Sequence, residues 1–238
     1  MHNHNHNVLL CASYPAALLD ALYDTERGLS ARADVRSEIN ELISQLESMA
    51  PSVESAEQAL EDLNGTWTLY FSSDAPTLAI LALGKLPFVT IGDMTQRIDS
   101  QMQTIENKVC LMGPLARTSV STCSSFDMRT AKRMQLQLQT GVFETPELVS
   151  DSLELPSSIS ILGQTLDTSQ LQQTLRPLTE QIKGLLVQAS GMARQTPDLQ
   201  VPMAVGGQGG SWLIHTYVSD GLRITRGDGG SVFVFTKF

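Results

Sequence analysis

Few of the 238 residues belong to types that do chemistry, and their spacing suits little of it. Histidine, the usual general base, occurs four times, but His2, His4 and His6 fall in the opening MHNHNHN. Residues 1–7 read as a metal-affinity expression tag and are set aside from fold reasoning. That leaves His215, and one histidine completes neither a nucleophile–His pair nor a His-based metal site. Cys11, Cys110 and Cys123 are odd in number and lack Cys-x-x-Cys spacing. They make neither a zinc site nor a disulfide framework, and they fit a reducing compartment. Gly206-Gly207-Gln208-Gly209-Gly210 lacks the last glycine and the following helix of a dinucleotide fingerprint, and no Gly-Lys-Ser/Thr cradle occurs. Arg226-Gly227-Asp228 spells an adhesion tripeptide, but it falls across a hairpin where turn chemistry explains the glycine. The expectation is a protein without catalytic residues, bound metal or enzymatic cofactor.

The bulk composition narrows the partners. With 42% hydrophobic and 17% charged residues the chain can bury a core. Sixteen basic against 25 acidic residues leave a net charge of −9, which argues against nucleic acid and against anionic lipid headgroups. No apolar run approaches the roughly 20 residues of a membrane-spanning helix. The most apolar stretch, Leu78 to Ile91, is interrupted by Gly84, Lys85 and Pro87.

The elements that must position any site fall into two parts, an N-terminal helical segment (8–63) and a β-rich segment (64–238). In the first, Leu18, Leu19 and Leu22, then Ile39, Leu42, Ile43, Leu46 and Met49, recur at helical spacing, and Ser55 to Leu63 forms a third short helix. Eleven of the 25 acids lie here, as a solvated outer face. After Gly65 the period becomes two. Trp67, Leu69 and Phe71 share one face, as do Met94, Gln96 and Ile98. Val120, Thr122, Ser124, Phe126 and Met128 do the same, followed by Met134, Leu136, Leu138 and Val142. Three short strands close the chain, joined by Asp220-Gly221 and Gly227-Asp228-Gly229-Gly230, which is hairpin chemistry. Seven or eight antiparallel strands with tight turns predict a mainly β (α+β) fold, a closed up-and-down barrel or a strongly curled sheet. One long apolar helix, Thr168 to Met192, is inserted before the last strands.

The face expected to turn inward carries Trp67, Leu69, Phe71, Ile98, Met134, Leu136, Leu138, Trp212 and Val234. An eight-stranded barrel stands at the boundary between a filled interior and one holding a single small ligand, so these residues either fill it or line a cavity. Arg223 and Arg226 point to opposite faces of one strand. Arg226 is expected inward, because it shares the face of Leu222 and Ile224, with a carboxylate such as Asp99 or the face of Trp67 as partner. Asp228 is expected to fix its turn by accepting backbone N–H bonds.

Asn64-Gly65-Thr66-Trp67-Thr68-Leu69, after a helical opening that contains Arg27-Gly28-Leu29, resembles the start of the plastid lipid-associated protein, or fibrillin, family. Gln96-Arg97-Ile98-Asp99 matches the opening of that family's middle portion. The run from Thr216 to Val234, with its Tyr, Leu-Arg-Ile, Arg-Gly-Asp and Gly-Ser-Val-Phe-Val, resembles the family's C-terminal block. The resemblance implies a lipocalin-like barrel in chloroplasts, at thylakoids or plastoglobules, or in a cyanobacterial cell. It implies a non-enzymatic carrier or scaffold for apolar small molecules: prenyl lipids, quinones, carotenoids or fatty acids. The alternative is a structural coat of plastid lipid droplets with a filled barrel, in peripheral contact with the lipid droplet or thylakoid surface, and a third, less favoured reading is an enzyme acting on lipid. Gly65-x-Trp67 is also similar to the lipocalin opening, in which a first-strand Trp packs beneath a last-strand Arg; Arg223 or Arg226 would supply it. On this reading the ligand-binding residues are Trp67, Phe71, Ile98, Leu136, Leu138, Trp212 and Arg226, with Gly65 and Asp228 as structural positions.

Overall fold

A computed structural model describes residues 14–85, 89–113, 116–143, 147–148, 158–161, 164–167, 199–202, 211–219 and 221–237. The expected helix over Thr168–Met192, the glycine loop, Cys11 and residues 1–7 lie outside the described residues, as does the side chain of Leu138.

The N-terminal helices are α1 (14–22), α2 (Ala33–Ser48) and α3 (Ala56–Leu63). The hydroxyl of Ser55 caps α3 by accepting from Gln58 N. A fourth helix, α4 (Ala75–Ala82), forms inside the stretch noted only for its apolarity. Its start has a local cause: the Asp74 carboxylate accepts from Thr77 N at 3.0 Å, and Pro76 sits in the first turn, where no N–H is required.

The strands are β1 (Gly65–Ser72), β2 (Thr90–Asp99), β3 (Thr104–Met112), β4 (Ala116–Met128), β5 (Arg133–Phe143), β6 (Glu147–Leu148), β7 (Ser158–Ile161), β8 (Gln164–Asp167), β9 (Leu199–Pro202), β10 (Trp212–Ser219), β11 (Leu222–Gly227) and β12 (Val232–Thr236). Eight of them close an antiparallel ring in the order β1-β2-β3-β4-β5-β10-β11-β12, with β12 back on β1. Neighbours in sequence are neighbours in space except at β5–β10. This is the up-and-down barrel that the alternating faces and turn glycines predict. β6 and β9 add to the far ends of the long strands β4 and β5, and β7–β8 pair separately.

Two apolar clusters result. Inside the barrel lie Trp67, Leu69, Ile98, Ile105, Phe126, Met134, Leu136 and Phe235, joined in one cluster by Leu63 of α3. Outside, the helices pack Leu18, Leu22, Ile39, Ile43 and Leu46 against Phe71, Tyr217, Leu222, Ile224, Val232 and Val234. The strands under the helices are thus buried on both faces, and apolarity no longer marks the inward side. Phe71 and Val234 are corrected accordingly: both belong to the outer cluster. For Phe71 the cause is a bulge. Leu69 opposes Phe235 and Phe71 opposes Val234, so Tyr70 is an extra residue and the alternation reverses beyond it.

Candidate ligand cavity in the barrel

One end of the barrel is filled. Trp67, fully buried, donates from Nε1 to the carbonyl of Leu63 at 2.8 Å, which ties β1 to α3. The guanidinium of Arg223, also fully buried, lies 4.7 Å from the Trp67 ring centroid and 4.2 Å from that of Phe235. Lys237 stands over the same indole at 5.1 Å and donates to the carbonyl of Asn64. Gly65 enters β1 at φ +117°, and a Cβ there would lie 3.1 Å from the Lys237 side chain. Ile98 completes this floor beside Trp67.

Arg226 is corrected. It lies on the outer face and pairs with Glu47 of α2 through two bonds, Nε–Oε1 at 2.7 Å and Nη2–Oε2 at 2.9 Å. The face of Leu222 and Ile224 is apolar because helices cover it, so Arg223 is the inward arginine. Its side-chain acceptor is Gln96 Oε1, not a carboxylate, and Asp99 instead accepts from Gln101 N and Met102 N in its own turn. Burial pushes the Arg223 guanidinium down to about 9, which leaves it charged at neutral pH. His215 also points inward, its Nδ1 3.0 Å from Thr225 Oγ1. Burial first, and then the Arg223 charge, hold it well below the usual histidine range, so its ring is neutral.

The other end is hollow. A cavity of about 500 Å³ is lined by Leu69, Met94, Ile105, Val109, Leu136 and Phe233, with Gln96, Asn107 and Thr122 among them. The two readings left open by the inward residues therefore both hold, at opposite ends of one barrel. The rim is formed by Pro76, Thr77 and Ile80 of α4, by Asp228 and Ser231 of the last hairpin, and by Trp212. Trp212 is placed differently from expectation: it pairs with Gln135, while its neighbour Leu213 pairs with inward Met134. Trp212 reaches the cavity only at the rim, where Arg133 lies 5.2 Å from its ring centroid. Asp228 is exposed, and the turn closes through backbone bonds, Gly230 N to Gly227 O and Gly227 N to Ser231 O; its carboxylate accepts none among the described residues.

Of the residues expected to meet a ligand, Leu136 lines the cavity and Trp212 stands at its rim, while Trp67 and Ile98 belong to the filled end and do not line it. Gln96 and Asn107 also line it and are not among the residues expected to meet a ligand. Their signal was present, since a glutamine between Met94 and Ile98 on an inward face is a polar group in an apolar file. Cys110 and Cys123 are free. Among the described residues no cluster of His, Cys, Asp and Glu could hold a metal, and no helix is long and apolar enough to cross a membrane.

The PAP_fibrillin family model matches residues 13–236. The chain is 40% identical over 220 residues, 92% of its length, to a light-induced protein, chloroplastic, of Solanum demissum, and spans 65% of that protein's length. It is 40% identical over 221 residues, 93% of its length, to plastid lipid-associated protein 2, chloroplastic, of Brassica campestris, covering 67% of it. It is 37% identical over 233 residues, 96% of its length, to the chromoplast-specific carotenoid-associated protein C1 of an Oncidium hybrid cultivar, covering 70% of it. No solved structure gives a significant match. The family match along nearly the whole chain and relatives named chloroplastic or chromoplastic agree: the chain belongs to the PAP_fibrillin family and is a plastid protein.

Proposed function

We propose that the chain is a non-enzymatic carrier or scaffold that holds one apolar small molecule in the barrel. The observation that carries this reading is the cavity of about 500 Å³ above the Trp67–Arg223 floor. That volume lies in the range of roughly 300–1,000 Å³ typical of sites for single small ligands. Its apolar wall suits an acyl or prenyl chain. Burying about 300 Å² of ligand at ~25 cal/mol per Å² yields roughly 7 kcal/mol before ordering costs, which sets an upper bound equivalent to a Kd of about 10 μM from apolar burial alone. A relative named for carotenoid association supports the same class of ligand. The test is to extract the purified full chain with organic solvent and quantify lipids by mass spectrometry and absorption. Ligand at near one-to-one stoichiometry supports the carrier. Its absence, together with no uptake of added lipid, overturns it.

One observation favours a second reading, contact with a lipid surface. α4, sequence APTLAILA, is apolar all round, yet among its residues only Leu81 is buried. Such a helix ordinarily packs in a core or meets lipid. Its place at the cavity rim would bring the opening to that surface. Flotation with liposomes of galactolipid composition should recover the protein, and Leu78→Asp should abolish recovery. Equal recovery of both removes α4 from the contact.

A further inference from the structure

Beside the closed end the apolar wall is crossed by two amides. Gln96 opposes Trp67 in register, and Asn107 opposes Gln96. Arg223 Nη2 donates to Gln96 Oε1, and Gln96 Nε2 donates to Asn107 Oδ1 at 2.8 Å. The direction of this file is forced. A guanidinium carries only donors, so Gln96 must turn its oxygen to Arg223 and its NH2 away. Asn107 must meet that NH2 with its own oxygen, which leaves its Nδ2 as the outer end. Gln96 and Asn107 line the cavity, and Arg223 stands behind them. Asn107 Nδ2 has no partner among the described residues.

A buried cation polarises the bonds that follow from it, because each donor in the chain is strengthened by the one before. The file therefore ends in a strengthened donor facing the cavity, with Thr122, the register partner of Asn107, beside it. We propose that the cavity selects a ligand with a hydrogen-bond-accepting oxygen, a carbonyl or carboxylate, at the end of its apolar chain, and seats that oxygen on Asn107. The inference rests on the carrier reading and narrows it, since a hydrocarbon would leave the donor unpaired. Leaving one polar group unpaired in a dry site costs about tenfold in affinity.

The experiment loads the full chain with the neutral fluorophore N-phenyl-1-naphthylamine and displaces it with laurate, decylplastoquinone or dodecane. Laurate, decylplastoquinone or both should displace at about tenfold lower concentration than dodecane. Laurate alone identifies a carboxylate head, and the quinone alone a carbonyl. Gln96→Glu keeps an acceptor for Arg223 but also accepts from Asn107 Nδ2, which turns the Asn107 oxygen to the cavity. In that variant the preference should collapse, and it should collapse in Asn107→Leu as well. The ratio is read within each protein, so a general change in affinity does not enter, and a melting curve confirms folding. Dodecane binding as tightly as both oxygen-bearing probes overturns the inference and leaves the carrier intact. An unchanged preference in Gln96→Glu overturns the file. Failure of every probe to enter overturns the carrier itself.

Discussion

The guanidinium carbon of Arg223 lies 4.7 Å from the centroid of the Trp67 ring, both side chains fully buried, on strands β11 and β1 with β12 between them. A cation over an indole is worth about 2 kcal/mol when desolvated. Trp67→Ala should cost about 3–5 kcal/mol, since it removes that contact, a large buried surface and the bond to Leu63. A double-mutant cycle of Trp67→Leu with Arg223→Met should give a coupling of roughly 1–2 kcal/mol by urea unfolding. Additive effects would reduce the pair to mere neighbours.

Arg226 and Glu47 form the fork that holds α2 to β11. The pair is partly open to solvent, with 36% and 19% of the two side chains exposed, so screening trims its worth. Arg226→Met should cost about 1 kcal/mol and less in high salt, with cavity binding unchanged. A loss as large as that of Trp67→Ala would mean that the outer face matters as much as the floor.

Gly28 sits at φ +100° where the N-terminal segment meets β1, and a Cβ there would stand 2.3 Å from the carbonyl oxygen of Ser72. Asp24, Glu26 and Arg27 beside it also have positive φ, so the backbone has little slack to give. Gly28→Ala should cost about 3 kcal/mol, from the left-handed penalty and the backbone clash together. A melting temperature equal to that of the parent would show that the loop shifts freely.

His215 makes stability depend on pH. The folded state resists a proton that the unfolded chain accepts below its ordinary value of 6.5. Its contribution is therefore whole above that value and is lost as pH falls, by up to about 1.4 kcal/mol per pH unit, until the folded group itself titrates. His215→Gln should flatten the decline between about pH 6.5 and pH 5 in urea unfolding. Parallel declines in the two proteins would place the acid lability elsewhere.

Much of the architecture is local and was legible. The period of two after Gly65, the turn glycines around Gly221 and Gly230 and the helical spacing through Leu46 each follow from a few adjacent residues, and the fold has the barrel and the three helices they predict. α4 was written in Asp74-Ala75-Pro76, a capping signal that an eye drawn to its apolar residues passes over.

The sequence by itself determined the fold class, the lack of a second histidine outside the opening stretch and the family, because composition, period and motif are properties of the chain alone. Tertiary structure decided which face of each strand looks inward. Leu222 and Ile224 are apolar because α1 and α2 lie over them, and the bulge at Tyr70 turns Phe71 outward. The burial of a strand face depends on what packs against it. Only the closed barrel brings Arg223 to Gln96, 127 residues earlier, and so aims the Asn107 amide into the cavity.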